Sequence, residues 1–295
     1  MVGHDGYFGP DSMLHRVQSH HAVGQTYGQR ALILGATHPV PYVGTSDSTT
    51  AKERPFQRLA GTAIAFETIF FGTRTEADRL LQRVHRMHTR VRGELAHDEG
   101  TFTAGTRYDA FDPDLMLWTM AMLADSSRVA FETLVRPLTR DEREELWADW
   151  VRFGELFGMP REVAPPDAVA FERWMDDWVA GARMHVTDEA YVVGRAIARD
   201  MPTPRHLRPG MWGTNLLVTG MLPARVRELF DLPWTRSHEG AFRSLAAALR
   251  GTHRVLPTHR VTGTNTHLHQ LVIRTEQARI AAGRPTIDLG AFAER

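Results

Sequence analysis

Apolar positions recur along the chain at three- and four-residue spacing far more often than they alternate, and helix start and stop signals bracket the recurrences. After Thr73-Arg74-Thr75-Glu76, the residues Ala77, Leu80, Leu81, Val84, His88 and Val91 share one face. The Thr73 hydroxyl and the carboxylate three residues on form a capping box, and Gly93 is a natural C-terminal stop, so the spacing predicts a helix over 74–93. The preceding segment, 58–71, has the same period, with Leu59, Ala63, Phe66 and Phe70 on one side and Arg58, Gly61, Thr62 and Ala65 on another. Gly61 and Ala65 leave that second side flat although a helical Gly costs about 1 kcal/mol, which points to a close approach to the backbone there.

The pattern continues to the C-terminus. Asp112-Pro113 opens an apolar helix to about Val135. Thr139 and Glu142 form a second capping box, before Trp147, Trp150 and Phe153 in a helix ending near Gly158. Pro165-Pro166-Asp167 starts another, reaching about Met184, and Thr187 caps one that runs to Asp200, where Pro202 and Pro204 end it. Pro209-Gly210 reads as a connection, followed by helices from Pro223, over 237–250 and over 268–282. Residues 1–57 look mixed, with a helix over 24–36 and loop at His38-Pro39-Val40-Pro41 and 45–50. No repeat or long linker divides the chain. The expectation is one all-α domain, with segment 1–57 packed on a helical core over 58–295.

Composition narrows the chemistry. The 295 residues include 35 basic and 35 acidic side chains, and the absence of Cys excludes thiolate ligands, iron–sulfur clusters and Cys nucleophiles. Lys52 is the single lysine, so Schiff-base chemistry would have to use it. Zero formal charge gives no global field to attract nucleic acid or an anionic membrane, and the Arg-rich stretch 83–92 reads as a solvated helix face. The longest apolar run, 115–124, stops at Asp125, far short of the ~20 residues of a membrane span, so no transmembrane segment is expected. The first twelve residues carry His, Asp and Pro where a secretory signal needs a basic start and an apolar stretch, which reads as cytoplasmic.

The G-x-S-x-G, Walker A, G-x-G-x-x-G and H-E-x-x-H signatures are missing. One Glu-x-x-His, Glu94 to His97, is half of a di-iron pattern, and His97-Asp98-Glu99 lies in a charged loop. His20-His21 and His267-x-His269 read as exposed or loop histidines, and His38 as a helix-end residue or a pocket residue. Trp118, Met120 and Met122 read as core, as do Trp147 and Trp150, against the alternative of an amphipathic membrane-surface helix. His88 differs from these, because an imidazole within a Leu/Val/Ala stripe loses about 1–3 kcal/mol if its nitrogens stay unpaired. Its partner is either a carbonyl or carboxylate in the core or a metal; His85, almost a turn earlier, reads as structural or surface. With Cys absent, His is the leading proximal haem ligand this sequence possesses, and the Arg58/Gly61/Thr62/Ala65 face offers a flat wall and a cation.

The order of several segments resembles the MpaB-type and rubber-oxygenase (latex clearing protein) family over roughly residues 5–235: Gly9-Pro10-Asp11-Ser12, Arg30-Ala31-Leu32 to His38-Pro39, Arg58-x-x-x-Thr62, Phe71-Gly72-Thr73, Arg86-Met87-His88-x-x-Val91-Arg92-Gly93, Tyr108-x-Ala110, and Asp112-Pro113 through Trp118 to Asp125-Ser126. The resemblance implies a globin-like helical bundle enclosing a b-type haem, with O₂ as co-substrate. It implies His88 as the iron ligand, with Arg58 and Thr62 as catalytic residues beside the haem and Gly61 and Ala65 on the cofactor face. In that arrangement Arg58 balances propionate charge and Thr62 donates a hydrogen bond. Two positions depart from the family pattern. Gly61 stands where rubber-cleaving members have a lysine, and Met120 where many members have a histidine. The implied activity is a haem-dependent oxygenase acting on a small apolar, isoprenoid-like molecule. A haem-binding sensor or carrier, a metal-free helical binding protein and a homo-oligomer remain open as alternatives.

Overall fold

The computed structural model describes residues 5–49, 54–285 and 287, so Lys52 and the end of the 45–50 segment lie outside the described residues. Among these, thirteen α-helices and one two-stranded antiparallel ribbon account for the regular structure. In chain order they are α1 (Met13–Ser19), α2 (His21–Gly35), α3 (Pro39–Asp47), α4 (Pro55–Phe71), α5 (Arg74–His88), β1 (Arg92–Glu94), β2 (Arg107–Asp109), α6 (Pro113–Leu134), α7 (Arg140–Leu156), α8 (Ala168–Ala180), α9 (Asp188–Arg199), α10 (Arg208–Met221), α11 (Ala224–Leu229), α12 (Arg236–Val255) and α13 (Thr266–Ala281).

The predicted caps form. Thr73 and Thr139 each complete a reciprocal capping box with the glutamate three residues on. Asp112 accepts from the amides of Asp114 and Leu115 at the start of α6. Asp167 and Thr187 cap α8 and α9.

The centre of the molecule is α6, which lies along α2 over most of its length. Its buried face carries Leu117, Trp118, Met120, Ala121 and Ala124. Trp118 donates through Nε1 to the Gly35 carbonyl at 3.2 Å, satisfying the one polar atom of a fully packed indole. One apolar cluster joins Phe8, Met13 and Leu14 near the N-terminus to Phe230 and Ala246, so N-terminal and C-terminal segments share a core. Trp150 is fully buried and Trp147 stacks on Phe171 at 4.0 Å, so both face the interior and neither supplies a membrane-surface face. No helix among the described residues is long and apolar enough to cross a membrane.

Three local expectations are corrected, and one helix appears where none was assigned. Residues 39–47 form α3 rather than loop, because Pro39 and Pro41 sit in the first turn, where a missing N–H costs no intrahelical bond. Pro209 opens α10 for the same reason instead of marking a connection. The segment before residue 20 contains α1, capped by Ser12. Finally α5 stops at His88, and Arg92–Glu94 pairs with Arg107–Asp109 instead of continuing the helix. Tyr108 explains that ribbon: its ring lies against Gly93 and Gly44, and its hydroxyl donates to Asp47 at 2.9 Å, pinning the ribbon to α3.

Candidate functional site

Helices α4 and α5 are joined only by Gly72 and Thr73, and they are closed near that joint and open beyond it. Ile69, Phe70, Ala77 and Leu81 are buried close to the connection. Farther out, no residue from 61 to 68 on α4 is buried, and none from 82 to 88 on α5. At 1.5 Å per residue, Arg58 and His88 each lie roughly 20 Å along their helices from the joint, so Arg58, Gly61, Thr62, His85 and His88 occupy the open half of the hairpin. Apolar Ala63, Ile64, Ala65 and Phe66 are only half-buried there, an unusual state for such residues in a helix that packs extensively on α13.

His88 is half-buried in this opening. Its Nδ1 is buried and without a hydrogen-bond partner, and burial, followed by the nearby His85, holds the imidazole below its ordinary pKa. The ring is therefore neutral at pH 7, the form that can coordinate a metal. His85 repeats the pattern with a buried, unpartnered Nε2. Both rings meet Phe111 edge-on, at 5.8 Å from His85 and 6.0 Å from His88. A Cβ placed on Gly158 would come 3.8 Å from His85 Nε2 and from the Phe111 ring. Phe157, next to it, meets Phe66 of α4 at 6.1 Å. The end of α7 and the Phe111 turn thus connect α5 back to α4 through an aromatic wall.

The other predicted residues fall as follows. Gly61 is exposed, and a Cβ there would meet nothing within 4 Å, so its face opens on free space. Ala65, one turn on, is half-buried. Thr62 is exposed, but its hydroxyl donates back to the Arg58 carbonyl at 3.1 Å, so it presents an acceptor where the family resemblance implies a donor. Arg58 has an open surface, yet packing around its guanidinium lowers its pKa through burial, against the opposing fields of Tyr42 and Glu189. It donates to Thr49 Oγ1 and, at 3.4 Å, to the Thr45 carbonyl, tying α4 to the end of α3.

These residues fit a haem: a neutral imidazole with an orphaned buried nitrogen could hold its iron, beside a glycine opening on space, aromatic walls and a cation on the same hairpin. Among the described residues, no group of three or more His, Asp or Glu side chains could hold a bare metal ion. His97 and Asp98 are exposed, and Glu99 is used by His185 at 2.9 Å.

Sequence patterns did not single out the Phe111, Phe157 and Gly158 wall, since those residues meet only through tertiary packing. They also undervalued His38. It is buried between Phe102 and Trp178, with ring centroids at 5.1 and 4.7 Å, and Nδ1 is unpartnered. His20 is half-buried against Phe131 and His253 rather than exposed, and His269 is half-buried near Glu67 while His267 is exposed.

Residues 15–251 match the family described as ER-bound oxygenase mpaB/B′/rubber oxygenase, catalytic domain. An uncharacterized protein of Mycobacterium bovis and another of Mycobacterium tuberculosis are each 30% identical over 216 residues, covering 72% of this chain and 80% of theirs. No solved structure matches.

Proposed function

The chain belongs to the family of mpaB/B′ and rubber oxygenase catalytic domains, and on that footing we propose that it is a haem b-dependent oxygenase acting with O₂ on a small apolar, isoprenoid-like molecule. The observation that carries the reading is the His88 ring, neutral and without a hydrogen bond to Nδ1, standing in the open half of the α4–α5 hairpin. Haem b, when bound, supplies the redox-active iron that O₂ chemistry needs.

The chain's own residues divide the remaining work. His88 offers an imidazole lone pair, and its low pKa keeps that lone pair free of a proton at neutral pH. Arg58 places a permanent positive charge at the open end of α4, where carboxylates at the edge of a porphyrin would be neutralised. Gly61 leaves its side of the cleft clear, and Thr62 can accept a hydrogen bond while its own proton stays on the Arg58 carbonyl. Phe66, Phe111 and Phe157 give the cleft walls that exclude water and favour an apolar substrate.

The test is an absorption spectrum of purified protein titrated with haemin, before and after dithionite, followed by oxygen-electrode traces with short isoprenoid alcohols. A saturable Soret band and substrate-dependent O₂ uptake are expected. A Soret band without uptake would make the protein a haem sensor or carrier, and no saturable band would leave a metal-free binding protein.

A further inference from the structure

The end of the molecule where α10 begins and α12 finishes carries exposed apolar side chains and positive charge together, and neither has a partner among the described residues. Gly220 lies against the Phe242 ring and Gly213 3.4 Å from Leu245, so α10 and α12 run antiparallel, and the start of one shares an end of the molecule with the close of the other. Trp212 is 63% exposed and Val255 81%, and Leu207 and Leu256 are also exposed. Among the described residues the other large exposed apolar side chains, Met87 and Val169, lie on other helices.

The charge carried by these two stretches of chain has one sign, although exposed Asp200 ends α9 next to Arg199, whose carbonyl accepts from Asn215. No acidic residue occurs between Asp200 and Glu228, or between Glu239 and Glu276. Arg205, Arg208, Arg254 and Arg260 are exposed, and their side chains make no ion pair or hydrogen bond with described residues, whereas arginines elsewhere, such as Arg136 and Arg143, pair with glutamates. The chain is neutral overall, so this clustering is local.

We propose that this end docks on the surface of an anionic lipid bilayer, with Trp212 and the Val255-Leu256 tip at headgroup depth and the arginines on lipid phosphates. An interfacial indole flanked by cations is the chemistry that such a surface selects. A second copy of the chain is a poorer occupant, because a two-fold contact would set the same arginines against each other. Nucleic acid is also poorer, since Leu207, Val255 and Leu256 offer no stacking face. The proposal does not rest on haem binding, and its test reads the same in apo and loaded protein.

The test is co-sedimentation with vesicles of phosphatidylcholine alone and of phosphatidylcholine with about 30 mol% phosphatidylserine. Binding to the mixed vesicles only, reversed by high salt, is expected, with quenching of tryptophan emission by brominated lipid that Trp212→Phe removes. Each arginine near an anionic surface multiplies partitioning about fivefold, so Arg254→Glu/Arg260→Glu, with its melting temperature unchanged, should lose at least about 25-fold. No sedimentation, equal sedimentation with neutral vesicles, or a dimer that shields Trp212 without lipid would overturn the proposal.

Discussion

His88 and Phe111 meet edge to face, with ring centroids 6.0 Å apart and planes at 71°. Phe111 is itself fixed by its amide, which donates to Asp109 Oδ1 at 2.8 Å beside the ribbon. This contact helps keep water from the imidazole, and desolvation is the largest cause of its lowered pKa. Phe111→Ala should therefore raise the His88 pKa toward 6.5, read by NMR titration of the ring, and lower unfolding stability by about 2 kcal/mol.

Gly61 separates the cleft from the fold. A methyl there meets no neighbour, so Gly61→Ala should stabilise α4 by up to about 1 kcal/mol in urea unfolding, through helix propensity alone. Gly61→Phe should fold equally well but abolish haemin uptake, because its ring would fill the open space.

Arg30 and Asp125 are buried together at 2.8 Å, and Arg30 also donates to Ser126 Oγ and to the Met221 carbonyl. Burial pushes the Asp125 pKa up, but the charges and hydrogen bonds of Arg30 and Arg128 outweigh it, so the net shift is downward. Asp125→Ala would strand Arg30 and should cost about 3–5 kcal/mol by urea unfolding. In the parent, a carboxylate with a depressed folded pKa contributes stability above its unfolded value near 4, and that contribution is lost as pH falls through the folded pKa.

His38 gives a second, separable pH dependence. Burial, aided by Arg183, pushes its pKa down to about 3, so between about pH 6.5 and pH 3 the unfolded chain binds a proton that the native ring refuses. Stability should fall across that window on acidification, by on the order of 3 kcal/mol for this residue. His38→Phe, which keeps the stack between Phe102 and Trp178, should show a correspondingly smaller loss in unfolding curves taken at pH 7 and pH 4.

How much of this could be read from the sequence depended on whether the signal was local. The capping boxes at Thr73 and Thr139 and the Asp112-Pro113 start announced α5, α7 and α6, because a cap is a contact within four residues. The ribbon over 92–94 and 107–109 was invisible, since Tyr108 packing on Gly44 and Gly93 holds it and its own residues show no alternation. The Arg30–Asp125 pair spans 95 positions, and in the sequence Arg30 stood out only as part of a family resemblance and Asp125 otherwise only as the end of an apolar run. At the site, His88 was legible because an imidazole breaks an aliphatic stripe. The wall opposite it was not, since Phe111 and the adjacent pair Phe157 and Gly158 come from two turns that only the fold brings together.

The most direct test of the haem assignment compares haemin titrations of the parent, His88→Ala and His85→Ala proteins, with exogenous imidazole added to each. The account predicts that His88→Ala loses the saturable Soret band, before and after dithionite, and regains it with imidazole, while His85→Ala keeps it. A His88→Ala protein with the parent's Soret band and affinity would contradict it.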